Sequence, residues 1–273
     1  MLPHAVVTSA ARDRLRIAAV ADLHFSRADQ GSLQPLFARI TDEADLLLLC
    51  GDLTDYGLAE EARLLAREIT TALKIPVIAV LGNHDCESGQ EREIVQVLAD
   101  AGVRTLDGDS WELHGIGFAG VKGFAGGFDR GTLGPWGEAA VKAFVREAVE
   151  EALKLEKALA RLRTPQRIAL LHYSPIRGTV EGEPLEIYPY LGCSRLEEPL
   201  LRYPVTAVFH GHAHNGRLEA RTRNGIPVYN VSLPMLRARS PEQPFRLIDL
   251  PVAAPETPQA LPFERRTGAD RCS

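Results

Sequence analysis

Five short blocks hold most of the chain's eight histidines beside carboxylates and one amide: Asp22-Leu23-His24, Gly51-Asp52-Leu53-Thr54-Asp55, Gly82-Asn83-His84-Asp85, a lone His172, and His210-Gly211-His212-Ala213-His214. Carboxylate oxygen, amide oxygen and imidazole nitrogen together suit divalent Mn, Fe or Zn, and no thiolate is among them. An Asp-x-His or His-x-His step puts both side chains on one side of an extended segment, because the strand period is two. Glycines at 51, 82 and 211 free the backbone to turn just before the donors. Taken singly, each block has a plain alternative. Gly51-Asp52 and Gly82-Asn83 read as turns, and an isolated histidine is more often packed or exposed than ligating. The weight lies in five blocks arriving in order.

What must position them is a set of strands. Arg16–Ala21, Leu46–Cys50, Val77–Leu81, Arg167–Leu171 and Val205–Phe209 are short apolar runs that read as buried strands, and each ends at one of the blocks. Ligands in open α/β sheets bind beyond the carboxyl ends of strands, so the five would deliver their side chains to one edge. Leu33, Leu36, Phe37 and Ile40 recur at helical spacing, as do the apolar positions of Ala59–Leu73 and Glu91–Ala101. Pro135–Arg163 carries an apolar stripe through Val141, Phe144, Val145, Ala148, Ala152, Leu155, Leu159 and Leu162, with Pro165 just beyond. Two hairpins are expected, around His114-Gly115 and Asn224-Gly225. Strand–helix alternation with later hairpins predicts an α/β protein with mixed sheets.

The pattern DxH, GDxxD, GNH(D/E), lone His and GHxH resembles that of the calcineurin-like metallophosphoesterases, without a gap from Asp22 to His214. The resemblance implies a four-layer α-β-β-α sandwich with two mixed sheets. It implies two divalent ions, one held by Asp22, His24, Asp52 and His214, the other by Asp52, Asn83, His172 and His212, with Asp52 and a hydroxide bridging. His84 would stabilise or protonate the leaving oxygen, and Asp85 would orient its imidazole. The expected activity is hydrolysis of a phosphodiester, nucleotide-like or of broad specificity. A phosphomonoesterase, a nuclease and a non-catalytic metal-binding scaffold are the alternatives, the last disfavoured because no ligand position is missing.

Other positions leave two readings open. Asp55 either bonds within the site or caps the Ala59–Leu73 helix; Asn215 either faces substrate or caps a turn. Cys50 reads as a small buried strand residue, His210 as a core or supporting histidine, His114 as exposed, Cys86 as a free thiol. Residues 120–134, with Lys122, Phe124, Phe128 and Arg130, form either a lid bringing a cation to phosphate or a flexible connection. In residues 174–194, with Arg177, Tyr188 and Tyr190, the aromatics either stack on a base or pack the loop down.

The whole chain bounds these readings. At 273 residues it can bury one full core, read as a single domain over 1–250 with a Pro-rich, poorly ordered tail over 251–273. A net charge of −5 argues against a dedicated nucleic-acid binder. Met1 to Arg16 reads as neither a signal nor a spanning segment, and four scattered cysteines suggest neither disulfides nor a zinc ribbon. Both point to a reduced cytoplasmic setting without a membrane, with a small phosphate ester as partner and the oligomeric state open.

Overall fold

Strands buried on both faces must be apolar at every position, and their odd and even residues then divide between two cores. The computed structural model, which describes residues 13–252, shows this division directly. In β1 (Arg14–Val20), β2 (Leu46–Cys50) and β3 (Val77–Val80), the side chains of Leu15, Ile17, Leu46, Leu48, Cys50, Ile78 and Val80 enter one core. Their alternates Ala18, Val20, Leu47, Leu49, Val77 and Ala79 enter another, with the apolar faces of α1 (Gln34–Glu43), α2 (Ala59–Ala72) and α3 (Glu91–Asp100).

The first sheet continues through β4 (Val103–Thr105). The second is built from β5 (Asp109–Leu113), β6 (Ile116–Gly120), β7 (Gln166–Leu170), β8 (Ala207–His210), β9 (Glu219–Arg221) and β10 (Pro227–Asn230), between which lies α4 (Ala139–Arg161). Three short helices follow α4: α5 (Tyr188–Leu191), α6 (Glu197–Arg202) and α7 (Leu233–Arg239). The last strand, β11 (Arg246–Pro251), returns to the first sheet. Strand order is β11-β1-β2-β3-β4 in one sheet and β5-β6-β7-β8-β10-β9 in the other. β1 to β4 are parallel and β11 is antiparallel to β1. β6, β7, β8 and β10 are parallel, flanked by antiparallel β5 and β9. Phe118, Ile168, Leu170 and Phe209 face the first sheet, while Ala119, Ala169 and Val208 face α4. The result is the expected α-β-β-α sandwich, with both sheets mixed.

Several expectations shift locally. The long helix starts at Ala139 rather than Pro135, because Gly137 takes the left-handed conformation (φ 77°) and interrupts any earlier turn. Its stripe is as read: Val145, Ala148, Leu155 and Leu159 are buried, and Phe144 and Ala152 lean on the same core. His114 and Gly115, both at positive φ, make the primed two-residue turn, and His114 is exposed. The Asn224-Gly225 hairpin has a longer loop, closed by the Thr222 amide donating to the Ile226 carbonyl at 2.9 Å. β4 and β11 had no sequence counterpart; as edge strands they are short or only half-buried and lack the continuous apolar run of β2. Of the expected tail only Pro251 and Val252 are described, Pro251 as the end of β11. Residues 253–273, and residues 1–12 on which the reading of the N-terminus rests, lie outside the described residues. Among the described residues no helix is long and apolar enough to cross a membrane.

Phe118 is fully buried between the sheets. Phe118→Ala should lower unfolding free energy by about 3–5 kcal/mol, read as a reduced denaturant midpoint with unchanged slope. Val149→Ala, on the exposed side of α4, should stay within about 0.5 kcal/mol of the parent.

Candidate metal centre

The blocks meet where the two sheets present their carboxyl ends, but the backbone is not extended there. Asp22, His24, Asp52 and His212 have φ of 57°, 42°, 49° and 71°, the left-handed region that costs an ordinary residue roughly 1–2 kcal/mol. Strand period therefore governs neither x-spaced pair, and His212 and His214 part, as the family resemblance implied and the spacing alone did not. Asp22, His24 and His214 form one group of donor atoms able to hold a metal ion, while His212 joins a second with Asp52 and His172. The glycines also differ in purpose. Gly51 both turns the chain at φ 86° and leaves room for the His172 ring, whereas Gly82 and Gly211 supply space alone: a Cβ at either would overlap the carboxylate of Asp52 or Asp22 respectively.

A third group, His24, Asp55 and His84, overlaps the first, and one oxygen links the first to the second. Asp52 Oδ2 lies 3.8 Å from His24 Nε2 and 3.3 Å from His172 Nε2, and Oδ1 accepts the His84 amide at 2.8 Å. Asn83 Oδ1 lies 2.8 Å from the same His172 nitrogen. Asp22 Oδ1 lies 3.4 Å from His214 Nε2, and both its oxygens accept the His212 amide at 3.0 Å. All seven residues expected to ligate are thus gathered in one place.

Four of the imidazoles have one nitrogen turned to a protein oxygen, which leaves the other for the site. His172 Nδ1 faces the Cys50 carbonyl at 3.0 Å, and His212 Nε2 faces the Tyr190 carbonyl at 3.1 Å. His24 Nδ1 lies 3.3 Å from Asp55 Oδ1, and His84 Nδ1 lies 2.6 Å from the Asp55 carbonyl. The result at His24 is diagnostic, because its Nε2 is buried with no hydrogen-bond partner. A buried nitrogen left bare costs free energy unless something accepts its lone pair. With carboxylates, an amide and imidazoles around it, the donor set fits a divalent cation.

Charge is balanced by proton sharing. Burial opposes a charge on His172, but Asp52 and then Asp22 overcome it and push the imidazole up to about 9. Burial likewise works against ionised Asp52 and Asp22; His172 reverses this for Asp52, and the bond to His214 together with His172 does so for Asp22, so both lie below the usual carboxylate range. The bond to Asp22 raises His214. Burial pushes His212 and His210 down to about 4, so both are neutral.

Asp85 requires a correction. Rather than orienting His84, its buried carboxylate accepts the Gly82 and Leu53 amides at 2.8 and 3.2 Å and the Thr54 amide and hydroxyl at 2.8 and 2.7 Å. It ties the loop after β2 to the loop after β3, and the His84 ring turns to Asp55 instead. Asp55 serves the site and not the helix: Glu61 reaches back to the Tyr56 and Leu58 amides at the start of α2. Asn215 is held by Glu183 through its amide and side chain, the turn-capping alternative. His210 is a core histidine bonded to Thr179 Oγ1 and the Gly211 carbonyl, and Cys50 is buried between the sheets. Cys86 is a free thiol that burial pushes up to about 12.

The two loops pack on each other. Gly126 and Gly127 donate to the Pro189 and Gly192 carbonyls at 2.7 and 2.9 Å, and Val121 through Phe128 is mostly buried, which removes the free-lid reading for that half. Tyr188 packs against Phe128, whereas Tyr190 is 61% exposed. The Tyr190 carbonyl escaped the sequence reading because main-chain acceptors leave no mark in residue type.

With this geometry in view, known proteins are informative. The family profile described as calcineurin-like phosphoesterase matches residues 15–216, which takes in every block from Asp22 to His214. A probable glycerophosphodiester phosphodiesterase, GpdQ, of Arcobacter nitrofigilis is 25% identical over 203 residues, covering 70% of this chain. The match spans 63% of that relative's length. The protein TT1561 of Thermus thermophilus shares the fold with a TM-score of 0.51 at 15% identity, over 87% of this chain and 99% of that one. GAP50, the anchor in the inner membrane complex of Plasmodium, does so with 0.51 at 14% identity, over 82% and 73%. Ordered motifs, mixed-sheet sandwich and profile agree: the chain belongs to the calcineurin-like phosphoesterase family, whose members are metal-dependent phosphoester hydrolases.

Proposed function

We propose that the protein hydrolyses phosphodiesters with two divalent metal ions. The observation that carries this reading is Asp52 Oδ2, within 4 Å of one imidazole from each donor group. Asp22, His24, Asp52 and His214 would hold one ion, and Asp52, Asn83, His172 and His212 the other. When bound, such ions neutralise phosphoryl charge and lower the pKa of water. A diester is favoured over a monoester by the activity for which the Arcobacter relative is named.

The chain's own groups do the rest. The Cys50, Tyr190 and Asp55 oxygens orient the His172, His212 and His24 imidazoles, so these donors are preorganised before substrate arrives. His84 has its Nδ1 engaged by the Asp55 carbonyl and its ring edge-on to His24 at 4.5 Å, which leaves Nε2 for the proton that the departing alcohol requires. Asp85 holds the β2 and β3 loops in register, so it supports Asp52 and Asn83 without touching substrate.

The test is metal quantification and turnover of bis-p-nitrophenyl phosphate and p-nitrophenyl phosphate by the Mn-supplemented protein. Diester hydrolysis is expected. His84→Ala should cut kcat by about 10²–10⁴-fold with metal retained, whereas Asp52→Asn should lose metal and turnover together. Monoester hydrolysis alone would make the protein a phosphatase, and failure to take up metal would end the reading.

A second outcome follows from His172. Its folded pKa, about 9, lies above the ordinary 6.5, so its protonation stabilises the metal-free protein fully below pH 6.5 and ceases to do so as pH rises through 9. Metal must displace that proton, so affinity should rise by about tenfold per pH unit across the same window. Opposite slopes are expected: falling stability of the metal-free protein in denaturant titrations, and rising affinity in competition with a chelator. Metal affinity flat between pH 6.5 and 9 would exclude protonated His172 as the competitor.

A further inference from the structure

Five strand ends carry the motif blocks, but a sixth reaches the same edge. β6 is parallel to β7, so the residues after Gly120 emerge beside His172. The Lys122 carbonyl accepts the His172 and Tyr173 amides at 3.0 and 3.1 Å, which fixes its backbone against a residue of the second donor group. Its side chain is half-buried, with the ammonium 5.1 Å from the Phe124 ring centre and 5.5 Å from that of Tyr173. Its hydrogen bond is to the adjacent Gly123 carbonyl at 3.2 Å, and among the described residues no carboxylate lies within ion-pair distance.

A half-buried cation without a counter-ion has given up hydration that two aromatic faces replace only in part. Its position shows where an anion would complete it. The Tyr173 ring lies 4.5 Å from the His212 ring and 5.4 Å from that of His172. The Tyr173 ring thus neighbours both the ammonium and the His172 and His212 rings of the second donor group, so the cation borders that group through a shared aromatic residue. We propose that Lys122 is a specificity-determining residue that binds a further phosphate, carried by the esterified alcohol beside the second donor group. This rests on the phosphoester-hydrolase reading and names the substrates that it favours.

Two esters isolate this charge: thymidine 5′-(p-nitrophenyl phosphate) and the same compound bearing a 3′-phosphate. The Mn-supplemented protein should show a KM roughly 10–100-fold lower for the 3′-phosphorylated ester, the scale of one charge-assisted hydrogen bond. Lys122→Met, which keeps the length and the contact with the rings, should abolish that ratio with little change in kcat, and Lys122→Arg should restore it. Calorimetry with thymidine 3′,5′-bisphosphate and thymidine 5′-phosphate should show the same loss in binding, independently of turnover. Should Lys122→Met fail to fold by circular dichroism, Lys122→Gln replaces it. A KM ratio unaltered by loss of the charge would overturn the proposal, as would failure of Lys122→Arg to recover it. If the parent hydrolyses neither ester, the diesterase reading falls, and the calorimetric preference still decides the role of Lys122.

Discussion

Asp22, Asp52 and Asp85 are buried together at the edge where the two sheets meet, and their mutual repulsion conditions everything around them. Burial followed by the charge of Asp52 raises Asp85, which is stabilised by four backbone and hydroxyl donors rather than by a cation. Asp22 and Asp52 have no such set of donors and draw on His172 and His214. Carboxylates buried in this way demand positive charge, and the protons on the histidines hold the place that metal cations would take. The bare nitrogen of His24 marks the same demand from the side of the ligands.

Such a cluster would not hold together on flexible loops. Its supports are the shared core between the sheets, where Leu48, Ile78, Phe118, Leu170 and Phe209 interlock, and the parallel strands that end in register above it. Left-handed backbone at four of the donor residues is maintained because hydrogen bonds from neighbouring strand ends over-determine it. The Asp22 amide donates to the Gly51 carbonyl at 2.9 Å and the His24 amide to the Asp52 carbonyl at 3.0 Å. Local strain is thus exchanged for donors that need no rearrangement when charge arrives.

The loops are part of the same arrangement. Phe128, Val180 and Leu191 pack around Ala213, between the two histidines that separate into different donor groups. The loop that supplies Tyr190's carbonyl to His212 is joined to the loop after β6 by backbone hydrogen bonds, so the surroundings of substrate and the tautomer of a donor share one scaffold.

The donor types and their order are written in the residues themselves, so the sequence by itself determined that imidazole, carboxylate and amide groups able to hold a metal would gather at strand ends. It determined the layers too, because β2 and β3 are apolar at every position and α4 carries its stripe at helical spacing. What it left open are relations between distant segments. His172 takes its tautomer from the Cys50 carbonyl, 122 residues away, and Asp85 closes a loop pair 31 and 32 residues back. The separation of His212 from His214, which the motif order implied, is carried out by a left-handed φ that spacing does not encode. Glu61 and not Asp55 supports the start of α2, and the pairing of β6 with β7 sets the Lys122 backbone beside His172. In each case the deciding partner is a main-chain atom or a dihedral angle, and these are fixed only when the chain is folded upon itself.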